Sequence, residues 1–293
     1  MALPLSLMHL ALVLYAVILT LTGCSTITFA YNRADLLIKA YAKDYLDLEP
    51  FQVEAWEPLL TAELARHRAE ELPFFSAYVD QVLQASQQGL NEHNMTCLIE
   101  ASQDIYRRQA HVVVTLASPL LAGLRPSQIK SLNQRFQEEA REDLTELAKD
   151  GGRTERERRI RRFLEAVEDW TGPLNSAQQD LVAEAVARMP ETRRLFLDYR
   201  GGKRNALITL LEAKGEEAEI KNFLTNWLVD WADMPPKLEQ ARGPWNAQIS
   251  ELFIRLASSL DRSQHERLDK RLRNLRDDLL KLQKQPRMAS LSC

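Results

Sequence analysis

Residues 260–284 read LDRSQHERLDKRLRNLRDDLLKLQK, and the spacing of their leucines decides the fold class. Leu268, Leu272, Leu275, Leu279 and Leu282 follow one another at steps of four, three, four and three. That is the period of one helix face, not the alternation of a strand, and it makes a coiled-coil-like seam. Just upstream, Trp245, Ile249, Leu252, Phe253 and Leu256 form a second apolar stripe. The short step at Leu260-Asp261 predicts that helices over 237–259 and 262–284 fold back as an antiparallel hairpin with the stripes facing each other. The seam reads as internal packing rather than as a dimer zipper.

Outward from this hairpin the same texture continues. The chain has 293 residues, 45% hydrophobic and 27% charged, which suits one large or two modest domains and argues against disorder. Glycine is scarce, at 10 residues, and no stretch alternates apolar and polar residues, so no strands are expected. Helices are expected over 32–46, 50–88 with a bend near Pro73, 92–121 with a break at Pro119, and 126–149. Thr154-x-x-Glu157 reads as a capping box opening a helix to Trp170, after a stop at Gly151-Gly152. Further helices are expected over 176–188, 191–213 and 217–231, with Gly201-Gly202 and Gly243-Pro244 as bends. The expected fold is all-α: a multi-helix array of antiparallel hairpins over 32–293, with a subdivision near 151–152. A net charge of −3 offers no basic face for nucleic acid.

One short element recurs four times: Leu48-x-x-x-Gln52, Leu124-x-x-x-Gln128, Leu174-x-x-x-Gln178 and Leu260-x-x-x-Gln264. Four residues beyond each glutamine stands Trp56, Leu132, Val182 or Leu268. The reading is a helix start. The residue after leucine takes the N-cap, and the glutamine reaches back to its backbone N–H. Asn175 and Asp261 are good caps, Glu49 and Arg125 poorer ones. The irregular intervals exclude a regular solenoid.

The N-terminus carries a different signal. The first 23 residues hold no Asp, Glu, Lys or Arg, and Leu10 to Leu21 is apolar but for Thr20. That run is too short to span a bilayer and suits the apolar core of a signal peptide. Leu21-Thr22-Gly23-Cys24-Ser25 follows and looks like a lipobox. The resemblance implies cleavage between Gly23 and Cys24, with a diacylglycerol on the Cys24 thiol, a freed amine open to acylation, and no other cofactor. Residues 24–31 would then be a lipidated tether. An ordinary secretory signal or an uncleaved anchor are the alternatives. Ser25 after the cysteine resembles the pattern for the outer membrane, facing the periplasm. Export would let Cys97 and Cys293 pair, though no spacing framework demands it.

Two further resemblances bear on the body. The Leu-x-x-x-Gln turns are similar to the Leu-Thr-x-x-Gln motif of the Spy-type periplasmic chaperones, although none of the four copies has Thr at the second position. Tyr31-Asn32-Arg33-x-Asp35, Asp44-Tyr45-x-Asp47-Leu48 and His67-Arg68-x-Glu70-Glu71-Leu72-Pro73 resemble an uncharacterised family of helical proteobacterial lipoproteins. That likeness implies anchor and fold, and carries no catalytic residues.

Chemistry is sparse. There is no His-Glu-x-x-His, zinc-spaced Cys pair, P-loop or nucleophile elbow. Glu63, His67 and Glu70 share a helix face and could hold a metal, but read more simply as part of an amphipathic helix. Six arginines between Arg153 and Arg162 read as a solvated, ion-paired helix rather than a patch for anionic headgroups. Phe29, Tyr31, Tyr41 and Tyr45 are expected in the core rather than on a membrane. The expectation is a lipid-anchored envelope protein binding an unknown protein partner, without cofactor, metal or catalytic residues. A Spy-like holdase, or a hydrolase whose site assembles from distant residues, are the alternatives.

Overall fold

The computed structural model describes residues 24–148 and 151–291, with the backbone alone for 24–26 and 151–154. The region is all-α. Its elements are α1 (Cys24–Asn32), α2 (Ala34–Tyr45), α3 (Pro50–Arg66), a π-turn (His67–Glu71), α4 (Leu72–Gln88), α5 (Glu92–Ala122) and α6 (Pro126–Ala148). Then come α7 (Gly151–Thr171), α8 (Ser176–Arg188), α9 (Arg193–Glu212), α10 (Glu217–Leu224), a second π-turn (Thr225–Val229), α11 (Pro236–Ser259) and α12 (Arg262–Leu282). No helix among the described residues is long and apolar enough to cross a membrane. The expected signal peptide over 1–23, Gly23 included, lies outside the described residues, as does Cys293.

The spine is α5. Its 31 residues make a rod about 46 Å long. The rod buries Ile105, Val113, Val114 and Leu121 among others. The run α3–π-turn–α4 lies antiparallel along it. Gln52 reaches Gly123, Trp56 the carbonyl of Leu116, His67 the side chain of Gln109, and Glu71 that of Arg108. Where a bend near Pro73 was expected, the helix carries a π-turn over His67–Glu71. The wider π-turn inserts a residue, so that His67 and Glu71 both turn inward. Pro119, Gly201-Gly202 and Gly243-Pro244 all lie inside unbroken helices.

Other antiparallel pairs are tied by charges at helical spacing. Glu139, Asp143 and Glu146 of α6 meet Arg204, Arg200 and Arg193 of α9. Glu184 of α8 meets Arg255 of α11, while Asp80 of α4 meets Arg276 of α12. Below them lie three main apolar clusters: one around α2, α3, α5, α6, α9 and α10; one joining α1, α4 and α12; and one joining α7, α8 and α11.

Two local expectations are corrected. Helices α11 and α12 do not form a hairpin with facing stripes. Leu272, Leu275, Leu279 and Leu282 pack on Leu72, Phe75, Val79 and Leu83 of α4. Leu252 and Leu256 pack instead on Val182 and Val186 of α8, and Phe253 is exposed. Periodicity reveals which face of a helix is apolar, not which neighbour covers it. The second correction concerns Thr154, which stands in the first turn of a helix already begun at Gly151, not at its N-cap.

Candidate functional site

The four Leu-x-x-x-Gln elements each sit at a helix start and meet as two pairs. In each, the glutamine Oε1 accepts the backbone N–H of the residue after the leucine: Glu49, Arg125, Asn175 and Asp261. The amide nitrogen crosses to the other element. Gln52 and Gln128 donate to each other's Oε1 at 3.2 and 2.8 Å, Gln178 and Gln264 at 2.9 and 3.0 Å. Each also donates to the carbonyl just ahead of its partner's leucine: Gly123 and Asp47 in one pair, Ser259 and Pro173 in the other. Leu48, Leu124 and Leu174 are buried beside them, and Leu260 is half-buried. The first pair joins the α2–α3 corner to the α5–α6 corner. The second joins α7–α8 to α11–α12. With every amide group bonded, these turns can hold helix ends together but have no donor left for a ligand.

The segments that carried the second resemblance also come together. Tyr31 Oη lies 2.7 Å from His67 Nδ1, and His67 Nε2 lies 2.7 Å from Gln109 Oε1. Burial pushes the Tyr31 hydroxyl well above its ordinary value, so it stays protonated and donates to Nδ1. His67 is then neutral and donates from Nε2, in keeping with burial holding its pKa below 6.5. Arg68 donates to Asn32 Oδ1 and to the carbonyl of Leu282, and stacks on the Tyr31 ring. Glu63 and Glu70 pair with Arg66, not with His67. Among the described residues no three metal-binding side chains converge. The His67 contribution to stability is in full above 6.5 and is lost as the pH falls below it, because the unfolded chain takes up the proton and the folded chain does not. Urea midpoints followed from neutral to mildly acidic pH should fall less steeply in His67→Gln than in the parent.

A cleft of about 520 Å³ opens where α5, α9 and α11 meet the loop after α10. Its apolar wall is Tyr106, Phe196, Trp231, Met234 and Trp245. Trp231 is the centrepiece, with its ring 5.6 Å from Tyr106 and 6.4 Å from Phe196. The loop that presents it is strained. Trp231 and Asp233 hold φ of 54° and 57°, in the left-handed region that costs a side-chain-bearing residue roughly 1–2 kcal/mol. Hydrogen bonds offset that cost. Ala232 N–H donates to Asn226 O at 2.7 Å, Tyr199 Oη to Ala232 O at 3.1 Å, and Tyr106 Oη to Leu228 O at 3.0 Å. Burial pushes the Tyr106 hydroxyl up to about 12, so it remains a donor throughout the physiological range. Polar groups at the rim are Gln103, Arg107, Asp230, Arg242 and Asn246. Arg107 pairs with Asp104.

A family model described as a family of unknown function (DUF6279) matches residues 44–234, more than half of the chain. The chain belongs to that family. No curated protein and no solved structure matches it. The DUF6279 match begins at Asp44, takes in the first glutamine pair, the buried Glu139–Arg204 contact and the Trp231 loop, and ends at Met234. The cleft wall contributed by α11 lies beyond it, as does Gln264.

Of the residues singled out in the sequence, Cys24 opens α1 and Ser25 follows it within the helix; the segment expected as a tether is helical, and its Ile27 is buried. Cys97 is disulfide-bonded. Cys293, the partner considered for it, lies outside the described residues. The arginines of α7 divide. Arg159 donates to the carbonyls of Val186, Met189 and Pro190 at the end of α8, and Arg162 pairs with Glu155. Arg156 and Arg161 are exposed. The cleft was not foreseen. Its one signal was a loop, Asp230-Trp231-Ala232-Asp233-Met234, that bends without a glycine while carrying a tryptophan.

Proposed function

We propose that the protein is a lipid-anchored component of the bacterial envelope whose helical body binds another protein and catalyses no reaction. The cleft carries this reading. It is open and aromatic-walled, and its lining supplies the single carboxylate of Asp230 with no His, Cys or Lys. Nucleophilic and acid–base catalysis want a nucleophile within reach of a base. An aromatic cleft rimmed by arginine and amide groups is instead the composition of a protein-binding hot spot. Support for the anchor comes from the lipobox at Leu21–Cys24 and from the start of α1 at Cys24, which would join a lipid to the body without a long linker. Ser25 favours the outer membrane, with the body facing the periplasm.

Two measurements test the proposal. Metabolic labelling with a palmitate analogue should mark the protein and disappear in Cys24→Ala; labelling that persists would refute the anchor. A photo-crosslinking residue at position 231 should give discrete adducts in intact cells, while one at the exposed position 144 should not. Absence of adducts at 231 would count against the binding role. A second reading, a Spy-type holdase, is favoured by the apolar cleft alone, since the four Leu-x-x-x-Gln turns are spent on holding helix ends. It requires that the protein slow the aggregation of an unfolded client and that Trp231→Ala weaken this effect.

A further inference from the structure

We propose that α1 and α2 form a second membrane contact, lying flat on the leaflet that holds the Cys24 lipid, with Phe29, Leu36 and Leu37 inserted among the headgroups. The proposal rests on the anchor reading above. These three side chains are 58%, 54% and 59% exposed, and among the described residues only Phe51, at 58%, is an equally exposed large apolar side chain. They lie together near the presumed lipid, Phe29 one turn beyond Cys24 and the leucines in the first turn of α2.

The opposite sides of both helices fix this orientation. Ile27 enters the cluster of α4 and α12, and Tyr31 and Asn32 bond to His67 and Arg68. Ala34, Ile38, Ala42 and Tyr45, at helical spacing, are buried in the core. Leu36, Leu37 and Ala40 are therefore held outward, with no freedom to fold in. Two cations flank them. Arg33 stacks over the Phe29 ring at 4.4 Å, and Lys43 closes the stripe one turn after Ala40. Neither forms an ion pair with a described residue. Asp35, by contrast, pairs with Lys39, and Asp44 faces Arg135. Lys39 is shared with Glu57 at 2.5 Å and Arg135 with Asp47 at 3.4 Å, so the face is near neutral overall, with Arg33 and Lys43 as the cations placed beside the apolar stripe.

An apolar stripe edged by free cations is the pattern of a helix that lies in the bilayer interface, its apolar side about 5–10 Å deep, with anionic headgroups at the cations. On the anchor reading the lipid sits on Cys24, five residues before Phe29, so the membrane is the surface nearest to hand. Lipid and face together would fix the orientation of the body, where a lipid alone would leave it free to swing.

The test uses the full chain, processed in cells, purified and reconstituted into vesicles of phosphatidylethanolamine with a minority of phosphatidylglycerol and brominated phosphatidylcholine. Phe29→Trp, Leu36→Trp and Leu37→Trp are compared with the parent and with Phe253→Trp on α11. The emission added at positions 29, 36 and 37 should be largely quenched by the brominated lipid, and that at 253 retained. Palmitate-analogue labelling of Cys24 is read separately on the same samples. Quenching without the label would uphold the face while removing the anchor. Label without quenching would overturn the face. So would a dimer that shields the three positions from lipid, because the occupant would then be a second copy.

Discussion

Arg204→Ala should be among the most destabilising single changes in the molecule, at about 3–5 kcal/mol. Arg204 is 3% exposed and its guanidinium bonds to Glu139, itself buried. Glu139 also accepts the Tyr45 hydroxyl at 2.9 Å, and the Phe136 ring lies under the guanidinium at 4.6 Å. Removing the arginine strands a carboxylate among Tyr41, Tyr45 and Phe136, where water cannot replace the lost partner. The net value of the pair itself is smaller than this cost, because burying two ions takes back much of their attraction. The double variant Arg204→Met with Glu139→Leu should therefore recover most of the loss, while Tyr45→Phe alone should cost only about 1–2 kcal/mol. Denaturant midpoints on the four proteins check the series. A double variant as unstable as Arg204→Ala would mean that packing, not charge, dominates at this site.

That contact shows where sequence reading stops. The leucine seam over 268–282 made α12 legible because one period accounts for every member, and the breakers at Gly89, Leu260-Asp261 and Pro235-Pro236 lie where helices end or begin. The neighbours were not legible. The same leucines would satisfy α4 or α11, and only the three-dimensional contest among stripes chooses α4. The acids of α6 and the arginines of α9 sit at intervals that equally describe solvated faces, so nothing in the string distinguished buried Glu139 from exposed Glu142. The cleft failed for a related reason. Tyr106, Phe196, Trp231 and Trp245 are scattered over four elements, each reading locally as a core residue. Phe29 is the reverse case: it was expected inside with Tyr31 and Tyr45, yet it faces outward.

The glutamine turns lead to the second large effect. Each local bond, from the cap N–H to Oε1, follows from the sequence, because a glutamine three residues past an N-cap can do little else. The crossing bonds do not, since they join residues 76 and 86 positions apart. Gln178 is 1% exposed and makes three kinds of bond at once: to Asn175 N–H, to Ser259 O and to Gln264. Gln178→Ala removes the buried bond to Gln264 and the part-buried bonds to Asn175 N–H and Ser259 O, for an expected loss of about 2–4 kcal/mol. Gln52→Ala should lose clearly less, because its bond to Gly123 O is exposed and water can take the carbonyl. Adding Gln264→Ala to Gln178→Ala should cost far less than it does in the parent, since its main partner is already gone. Gln178→Glu separates size from hydrogen bonding. It fills the same space but offers no donor, and its carboxylate would face the Ser259 carbonyl, so it should be no more stable than the alanine variant. If the glutamate variant matched the parent, the crossing bonds would contribute nothing, and the recurrence of Leu-x-x-x-Gln would reduce to four independent helix caps.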